Sequence, residues 1–286
     1  MDGVVRDFRG RTVVVTGASA GIGAAAARLF AERGATVAVV GRSPEKTASV
    51  AARVGGKAHL ADFGSLDSVR ALADDLLATY ERIDVLANNA GAMFEERRTS
   101  ADGHEMTLQV NHLAPFLLTN LLLDRMAESP DARVIHTGSS QYRKAQLDLD
   151  DLDGTGIRYR KMRAYGASKI ATVLFTRELA DRTRDTSLTT SAFHPGGVAT
   201  EVARESAFQR TVMKSWLGKV LLLSPEQGAE PLLHLAGVDP QPVNGAYFHR
   251  LTREEPKNAQ ARDSRLARQL WERSAELTGL SVRPLT

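Results

Sequence analysis

Thr12-Val13-Val14-Val15-Thr16-Gly17-Ala18-Ser19-Ala20-Gly21-Ile22-Gly23 reads as a buried strand that runs into a glycine turn. The β-branched run Thr12 to Val15 suits a strand covered on both faces. Ala24 to Arg33 is Ala-rich, with Ile22, Ala26, Leu29 and Phe30 at helical spacing, so a helix follows. Glycines at such a junction let the backbone bend sharply and approach a pyrophosphate, which then rests on the positive end of the helix. The spacing is G-x-x-x-G-x-G rather than the commoner G-x-G-x-x-G.

The same alternation continues outward. After Gly34, Thr36 to Val40 gives a second strand, and Gly41-Arg42-Ser43-Pro44 opens a helix with Ser43 as its cap and Pro44 at its first position. Lys57 to Asp62 reads as strand three and Ile83 to Ala87 as strand four. The helix between them, Ser65 to Tyr80, turns Leu66, Val69, Leu72, Leu76 and Leu77 to the core. A fourth helix is expected from about Gly103 to Met126, kinked near Asn111 because Pro115 removes a backbone hydrogen bond. Arg133 to Thr137 is strand five, the polar stretch Gln141 to Arg163 a surface loop, and Ser187 to Phe193 strand six. Ser224-Pro225-Glu226-Gln227 is a capping box opening a helix to about Ala236, and Gly245 to Phe248 is a short strand seven. Leu266, Leu270, Trp271 and Leu277 mark a last amphipathic helix, about 264–278, which docks either on the core or on a neighbouring subunit. Repeated β-α units imply an α/β fold: a Rossmann-type doubly wound parallel sheet of about seven strands with helices on both faces, in a single domain over 1–286.

Tyr165-Gly-Ala-Ser-Lys169 puts a phenol and an ammonium on one helical face, with Cβ atoms roughly 6 Å apart. A free tyrosine, with a pKa of about 10, is a poor proton donor or acceptor near neutrality, and a nearby cation supplies part of the needed shift. In isolation the pattern more often describes a solvated helix face.

Taken together, these motifs resemble the short-chain dehydrogenases/reductases over about residues 10 to 250. The matching stretches are the Thr16–Gly23 turn, Asn88-Asn89-Ala90-Gly91, Asn111, Thr137-Gly138-Ser139, Tyr165 with Lys169, and His194-Pro195-Gly196-Gly197. Val110-Asn111-His112-Leu113-Ala114-Pro115-Phe116 and the long gap from Ser139 to Tyr165 are most similar to the retinol dehydrogenase-like and carbonyl reductase branch.

The resemblance implies hydride transfer between a nicotinamide and a carbonyl or alcohol. It makes Tyr165 the general acid or base, Lys169 the group that lowers its pKa and holds the nicotinamide ribose, Ser139 the group that orients the substrate oxygen, and Asn111 the residue that keeps a water chain open to the lysine. Structural glue is the other reading of Asn111. For the dinucleotide it implies Gly17, Ser19, Ala20, Gly21, Ile22 and Gly23 at the pyrophosphate, Asn89, Ala90 and Gly91 beside the ribose, Asp62 with Phe63 at the adenine, and Pro195, Gly196, Val198 and Thr200 at the carboxamide. A turn-forming role for Asp62, and for Asn88 and Asn89, stays open.

Cofactor choice turns on the end of strand two, where chains that use NAD place Asp or Glu for the ribose 2′-hydroxyl. Here Arg42 and Ser43 stand there, which suits the 2′-phosphate of NADP(H), although Ala20 lacks the basic residue that many NADP-using relatives carry. The resemblance makes 198–223 a lid over the substrate cleft. Phe208, Val212, Trp216 and Val220, joined by Met213, Leu217 and Leu221, give that segment an apolar stripe suited to a lipophilic carbonyl or alcohol, such as a retinal-like aldehyde, a steroid or polyketide ketone, or an aromatic carbonyl. Packing of the stripe on the sheet or on a partner subunit is the alternative.

Composition narrows the rest. The 37 Lys and Arg are interspersed with 34 Asp and Glu, so no basic block marks a nucleic-acid arm. Absence of cysteine excludes disulfides, thiolate metal sites and cysteine nucleophiles, and the seven histidines show no metal-ligand spacing, so no metal is expected. The first residues lack the apolar core of a signal peptide, and no apolar run approaches the ~18 residues that span a membrane, so the expectation is a cytoplasmic protein. Two other classes carry related features. A nucleotide-sugar epimerase or dehydratase shares Y-x-x-x-K but needs a larger C-terminal domain, and a non-catalytic dinucleotide sensor typically loses Tyr or Lys.

Overall fold

The computed structural model describes residues 7–197 and 223–281. Its eight strands form one sheet in the order β3-β2-β1-β4-β5-β6-β7-β8. They are β1 (Thr12–Thr16), β2 (Thr36–Gly41), β3 (Lys57–Leu60), β4 (Val85–Asn88), β5 (Arg133–Thr137), β6 (Thr189–His194), β7 (Ala246–His249) and β8 (Thr252–Glu254). The first seven pair in parallel and β8 runs antiparallel to β7.

Side-chain alternation divides the core. Val14, Ala38, Leu86 and Val134 face one layer of helices, and Val13, Val15, Val37, Val39, Val85 and Ile135 face the other. The second layer comprises α1 (Gly21–Ala31), α2 (Pro44–Val54) and α7 (Pro225–Gly237). The first comprises α3 (Leu66–Thr79), α5 (Ala114–Ala127), α6 (Lys161–Arg182) and α8 (Ser264–Thr278). The capping box before α7 is formed: Gln227 N donates to Ser224 Oγ at 3.2 Å, and Ser224 N donates to Gln227 Oε1 at 2.9 Å.

Four local expectations need correction. Ser43 precedes α2, but its hydroxyl makes no cap; Thr47 Oγ1 instead donates to the Ser43 carbonyl at 2.6 Å. The kinked helix begins at Met106, as α4 (Met106–Leu108), and bends through a π-turn over Gln109–Leu113, where Ala114 N reaches back five residues to the Gln109 carbonyl. Pro115 lacks an N–H, so the Asn111 carbonyl loses its α-helical partner and the wider turn is favoured there. The stretch 141–163 is not all surface: Tyr142 is fully buried and edge-on to Tyr247 at 4.9 Å, and Leu147 is buried beside it. Asn258 Nδ2 donates to the Tyr142 and Ala145 carbonyls, and Gln260 bonds both backbone groups of Leu147, which sews that stretch to the C-terminal region. β8 follows a two-residue turn with Arg250 at φ +55°, a conformation for which the sequence offers no glycine or asparagine.

The last helix docks on the core. Asp263 caps α8 through the N–H groups of Arg265 and Leu266, and Gly279 closes it in the left-handed region. Trp271 packs against Phe116 and Phe175 with ring centroids 5.0 and 5.6 Å away, under the Arg182 guanidinium at 4.5 Å. His112 Nε2 and Ser274 Oγ are 2.7 Å apart across the same seam. Burial pushes the His112 imidazole down to about 3, so it stays neutral there.

Trp271→Ala therefore removes the anchor of α8. Urea unfolding of this variant is expected to show a loss of about 3–5 kcal/mol, the range for a buried aromatic truncated to alanine. A loss below about 1 kcal/mol would mean that the helix does not carry the α5–α6 face.

Candidate active site

Strand order reverses between β1 and β4, and the loops leaving their carboxyl ends meet through Thr16. Its hydroxyl accepts from Asn89 N and Ala90 N, both at 3.0 Å, and donates to the Ala87 carbonyl at 3.1 Å. Asn89 Nδ2 donates to the Thr16 carbonyl at 3.0 Å, and Thr137 Oγ1 donates to Asn89 Oδ1 at 3.3 Å. Asn88, one residue earlier, is turned into the core and donates to Thr119 Oγ1, so its role is structural. Thr16 and Thr137, the first residues of their motifs, carry this lattice, a role that depends on contacts between strands and has no signal in the sequence.

Two glycines are obligatory in the turn. Gly17 has φ +65°, and a Cβ there would lie 2.8 Å from Ala90 Cα; a Cβ at Gly23 would lie 2.7 Å from Asn89 Nδ2. α1 then starts at Gly21 from Ala20, with no side chain capping it and no acidic residue in its first turn. Its first N–H groups and positive end are thus available to an anion. Ser19 lies against Gly41, where an added Cβ would stand 3.0 Å from Ser19 Cβ, which brings the end of β2 to the same turn. There Arg42 is exposed, and its guanidinium makes no hydrogen bond or ion pair among the described residues.

β5 delivers Ser139, which is 8% exposed and whose Oγ accepts from Gln141 N at 3.3 Å. α6 delivers Tyr165 and Lys169. Burial pushes the Tyr165 phenol up, and its hydrogen bond with Ser139 pulls it back down. Lys169 is buried, donates to the Thr137 carbonyl at 2.9 Å, and has its Nζ 5.5 Å from the centre of the Tyr165 ring. Burial lowers the ammonium to about 8. Desolvation is the largest influence on the phenol, and the Lys169 ammonium is bonded to the Thr137 carbonyl.

Asn111 sits inside the π-turn with its side chain fully engaged. Oδ1 accepts from Ala92 N at 2.8 Å, and Nδ2 donates to the Ala92 carbonyl at 2.9 Å and to Ser168 Oγ at 3.0 Å. The side chain is thus a structural tie, a role compatible with keeping a water path open to the lysine, and Ser168 and Ala92 join the site through it. A Cβ at Gly91 would stand 3.3 Å from Asn111 Oδ1 and 3.8 Å from Lys169 Nζ, so glycine there keeps the approach open.

The remaining assignments divide. Asp62 Oδ1 accepts from Gly64 N at 2.9 Å and so forms a turn, while Phe63 is buried in the core and has only backbone to offer a ligand. Pro195 and Gly196 follow β6, with Gly196 at φ +92°. His194 stacks on His249 at 5.3 Å. Val198, Thr200 and the apolar stripe from Phe208 to Leu221 lie outside the described residues.

The chain is similar in sequence and fold to known proteins. The sequence model of the short chain dehydrogenase family matches residues 11–210. Human retinol dehydrogenase 13 is 39% identical, over 96% of this chain and 86% of its own length. A Streptomyces sp. (strain C5) protein assigned as the daunorubicin C-13 ketoreductase DnrU is 41% identical, over 96% and 94%. Among solved structures, an uncharacterized protein from Mycobacterium paratuberculosis superposes with a TM-score of 0.78 at 33% identity, covering 96% of this chain and 95% of that one. A short chain dehydrogenase from Escherichia coli CFT073 complexed with NADPH gives 0.67 at 27% identity, covering 85% and 97%. With the family's sequence model spanning residues 11–210 and relatives near 40% identity along almost all of its length, the chain belongs to the short-chain dehydrogenase family.

Proposed function

We propose that the protein is an NADP(H)-dependent oxidoreductase that interconverts a lipophilic carbonyl compound and its alcohol. The observation that carries this reading is the convergence of Ser139, Tyr165 and Lys169 beside the glycine turn, at the carboxyl ends of β1, β4 and β5. The turn fits a dinucleotide: Gly17 and Gly23 leave a cradle that a Cβ would fill, and the uncapped start of α1 faces it. Gly17, Ser19, Gly21, Ile22 and Gly23 would hold the pyrophosphate, Asn89 to Gly91 the ribose side, and Pro195 and Gly196 the carboxamide. When bound, the nicotinamide supplies or accepts the hydride.

The chain's own groups handle the oxygen. Ser139 Oγ orients the substrate oxygen and stabilises charge developing on it. Tyr165 Oη gives that oxygen a proton in reduction and takes one in oxidation, a role worth roughly 10²- to 10⁴-fold. Lys169 Nζ, on the same face of α6, opposes the effect of burial by favouring the phenolate, and it reaches the ribose hydroxyls.

Preference for NADP(H) rests on Arg42. Exposed at the end of β2 and without a partner among the described residues, it can fork onto a 2′-phosphate, and no carboxylate stands there to bind a 2′-hydroxyl. The NADPH-bound relative is compatible with that reading. For the substrate, support comes from the names of the relatives, a retinol dehydrogenase and a daunorubicin C-13 ketoreductase, together with the apolar composition of 202–223.

Arg42→Asp is expected to weaken NADPH binding at least about tenfold in a fluorescence titration, with NADH unchanged or tighter, since a forked pair to phosphate would become a repulsion. Equal NADPH affinity in the variant would remove the basis for the preference. In an NADPH absorbance assay over a panel of aromatic, steroid and retinoid carbonyls, Tyr165→Phe should lose at least about 10²-fold in turnover while still binding NADPH. Lys169→Ala should lose both turnover and dinucleotide affinity. Retention of a tenth of the activity by Tyr165→Phe, or turnover only of small sugars and hydroxy acids, would defeat the assignment.

Lys169 also leaves a mark on stability. Its folded pKa, about 8, is below its unfolded value, so between about pH 8 and 10.5 the unfolded chain binds the extra proton and stability rises with pH. Compared with Lys169→Met, the ligand-free wild type should gain up to about 1.4 kcal/mol per pH unit across that window in urea unfolding. A flat difference would mean that the ammonium is not desolvated.

A further inference from the structure

A second concavity lies on the opposite face of α6 from Tyr165 and Lys169, between that helix and the stretch 146–163. It is a cleft open to solvent, lined by α6, by the stretch 146–163 and by Arg97, Glu105 and Leu108. Ser139, Tyr165 and Lys169 are not among its lining residues. Its floor is apolar: Leu108 and Leu147 are buried, Leu152 and Ala167 half-buried, and Ile157 at the lip is 47% exposed.

Charge on its wall is unevenly committed. The four lining carboxylates are turned toward backbone: Glu105 accepts from Thr107 N and Leu108 N, Asp153 from Glu105 N, Asp151 from Thr155 N and Gly156 N, and the exposed Asp148 from Asp150 N. Arg97 staples the stretch by donating to the Asp153 and Gly154 carbonyls. Arg158, Arg160 and Arg163 are exposed, and their guanidinium groups have no partner among the described residues. Three free forks over an apolar floor suit a ligand with an anionic head and an apolar tail, because guanidinium pairs with carboxylate in two parallel bonds while the tail covers the leucines.

We propose that this cleft is a second binding site, for a fatty-acid-like carboxylate whose head pairs with Arg158, Arg160 and Arg163 and whose tail lies on Leu108, Leu147 and Leu152. The occupant would also touch Ser168, whose Oγ donates to the Tyr165 carbonyl and accepts from Asn111 Nδ2. It thus lies one side chain from the π-turn and the catalytic helix.

The test is calorimetry with dodecanoate below its micelle concentration, on the full chain saturated with NADPH. Expected is one saturable site, retained in Tyr165→Phe, and weakened at least about tenfold in Arg158→Gln/Arg160→Gln/Arg163→Gln, with dodecanol binding at least about tenfold more weakly than dodecanoate. Ala164→Met, which fills the cleft from α6 and leaves the arginines in place, should also weaken binding, and thermal melts report whether each variant folds. The proposal is overturned if the arginine variant folds and binds dodecanoate as the wild type does, or if dodecanol binds equally well. Displacement of dodecanoate by a carbonyl substrate would place it in the catalytic cleft, and binding only to phosphatidylserine vesicles would make the arginines a membrane contact; either result also overturns it.

Discussion

Everything at the carboxyl edge of the sheet depends on how closely the turns after β1 and β4 approach each other. The Thr16 hydroxyl spans two consecutive N–H groups of the β4 turn, and Gly17 lets the Ala90 backbone come within a distance that a side chain would forbid. Asn89 returns a bond to Thr16 and takes one from Thr137, so β1, β4 and β5 are fixed as one rim. Since Lys169 is hydrogen-bonded to the Thr137 carbonyl, the position of its ammonium is set by the same lattice. A displacement at Thr16 is therefore transmitted through Asn89 and Thr137 to the charge beside Tyr165.

That arrangement is costly by itself. A buried lysine whose ammonium is destabilised to about 8, next to a phenol that burial pushes up, is a pair that folding alone would not favour. Such a pair is the usual signature of a site whose groups must exchange protons, in which stability is given up for reactivity. His136, on β5, is held neutral near 3 chiefly by burial, with the Lys169 charge adding to the effect. A second cation beside Lys169 is thereby avoided near neutrality.

Much of this was legible in the sequence because it depends on local rules. Strand periodicity, the glycine turn, the capping box at Ser224 and Gln227, and the amphipathic spacing of Leu266, Leu270 and Trp271 each act within a few residues. What escaped depends on contacts distant in sequence. Tyr142 belongs to a polar stretch and is buried only because Tyr247 and Asn258, more than a hundred residues later, receive it. Ser43 carries the right side chain for a cap, yet Thr47 closes that turn instead. Arg250 adopts a left-handed conformation that no arginine advertises, which hid β8. Pairing of Tyr165 with Lys169 could be read from spacing, but the balance between burial and charge at the phenol could not, because desolvation is a property of the packed site.

The helix α6 illustrates how these distant contacts fix local geometry. α6 carries Tyr165 and Lys169 on one face, and its other faces are clamped. Arg182 near its end lies over Trp271 of α8, Phe175 packs into the same aromatic cluster, and Ser168 is tied to Asn111 in the π-turn. At Gly166 the chain of 141–145 comes so near that a Cβ would meet Ala145 Cβ at 2.7 Å. A helix of 22 residues with Tyr165 and Lys169 near its beginning would otherwise be free to roll or slide by a fraction of an ångström. Because interiors are close-packed, each clamp resists such movement, and together they hold the phenol where its hydrogen bond to Ser139 can form. The long segment before Tyr165 and the C-terminal helix are thus part of what positions the Tyr165 phenol, although both are distant from it in sequence.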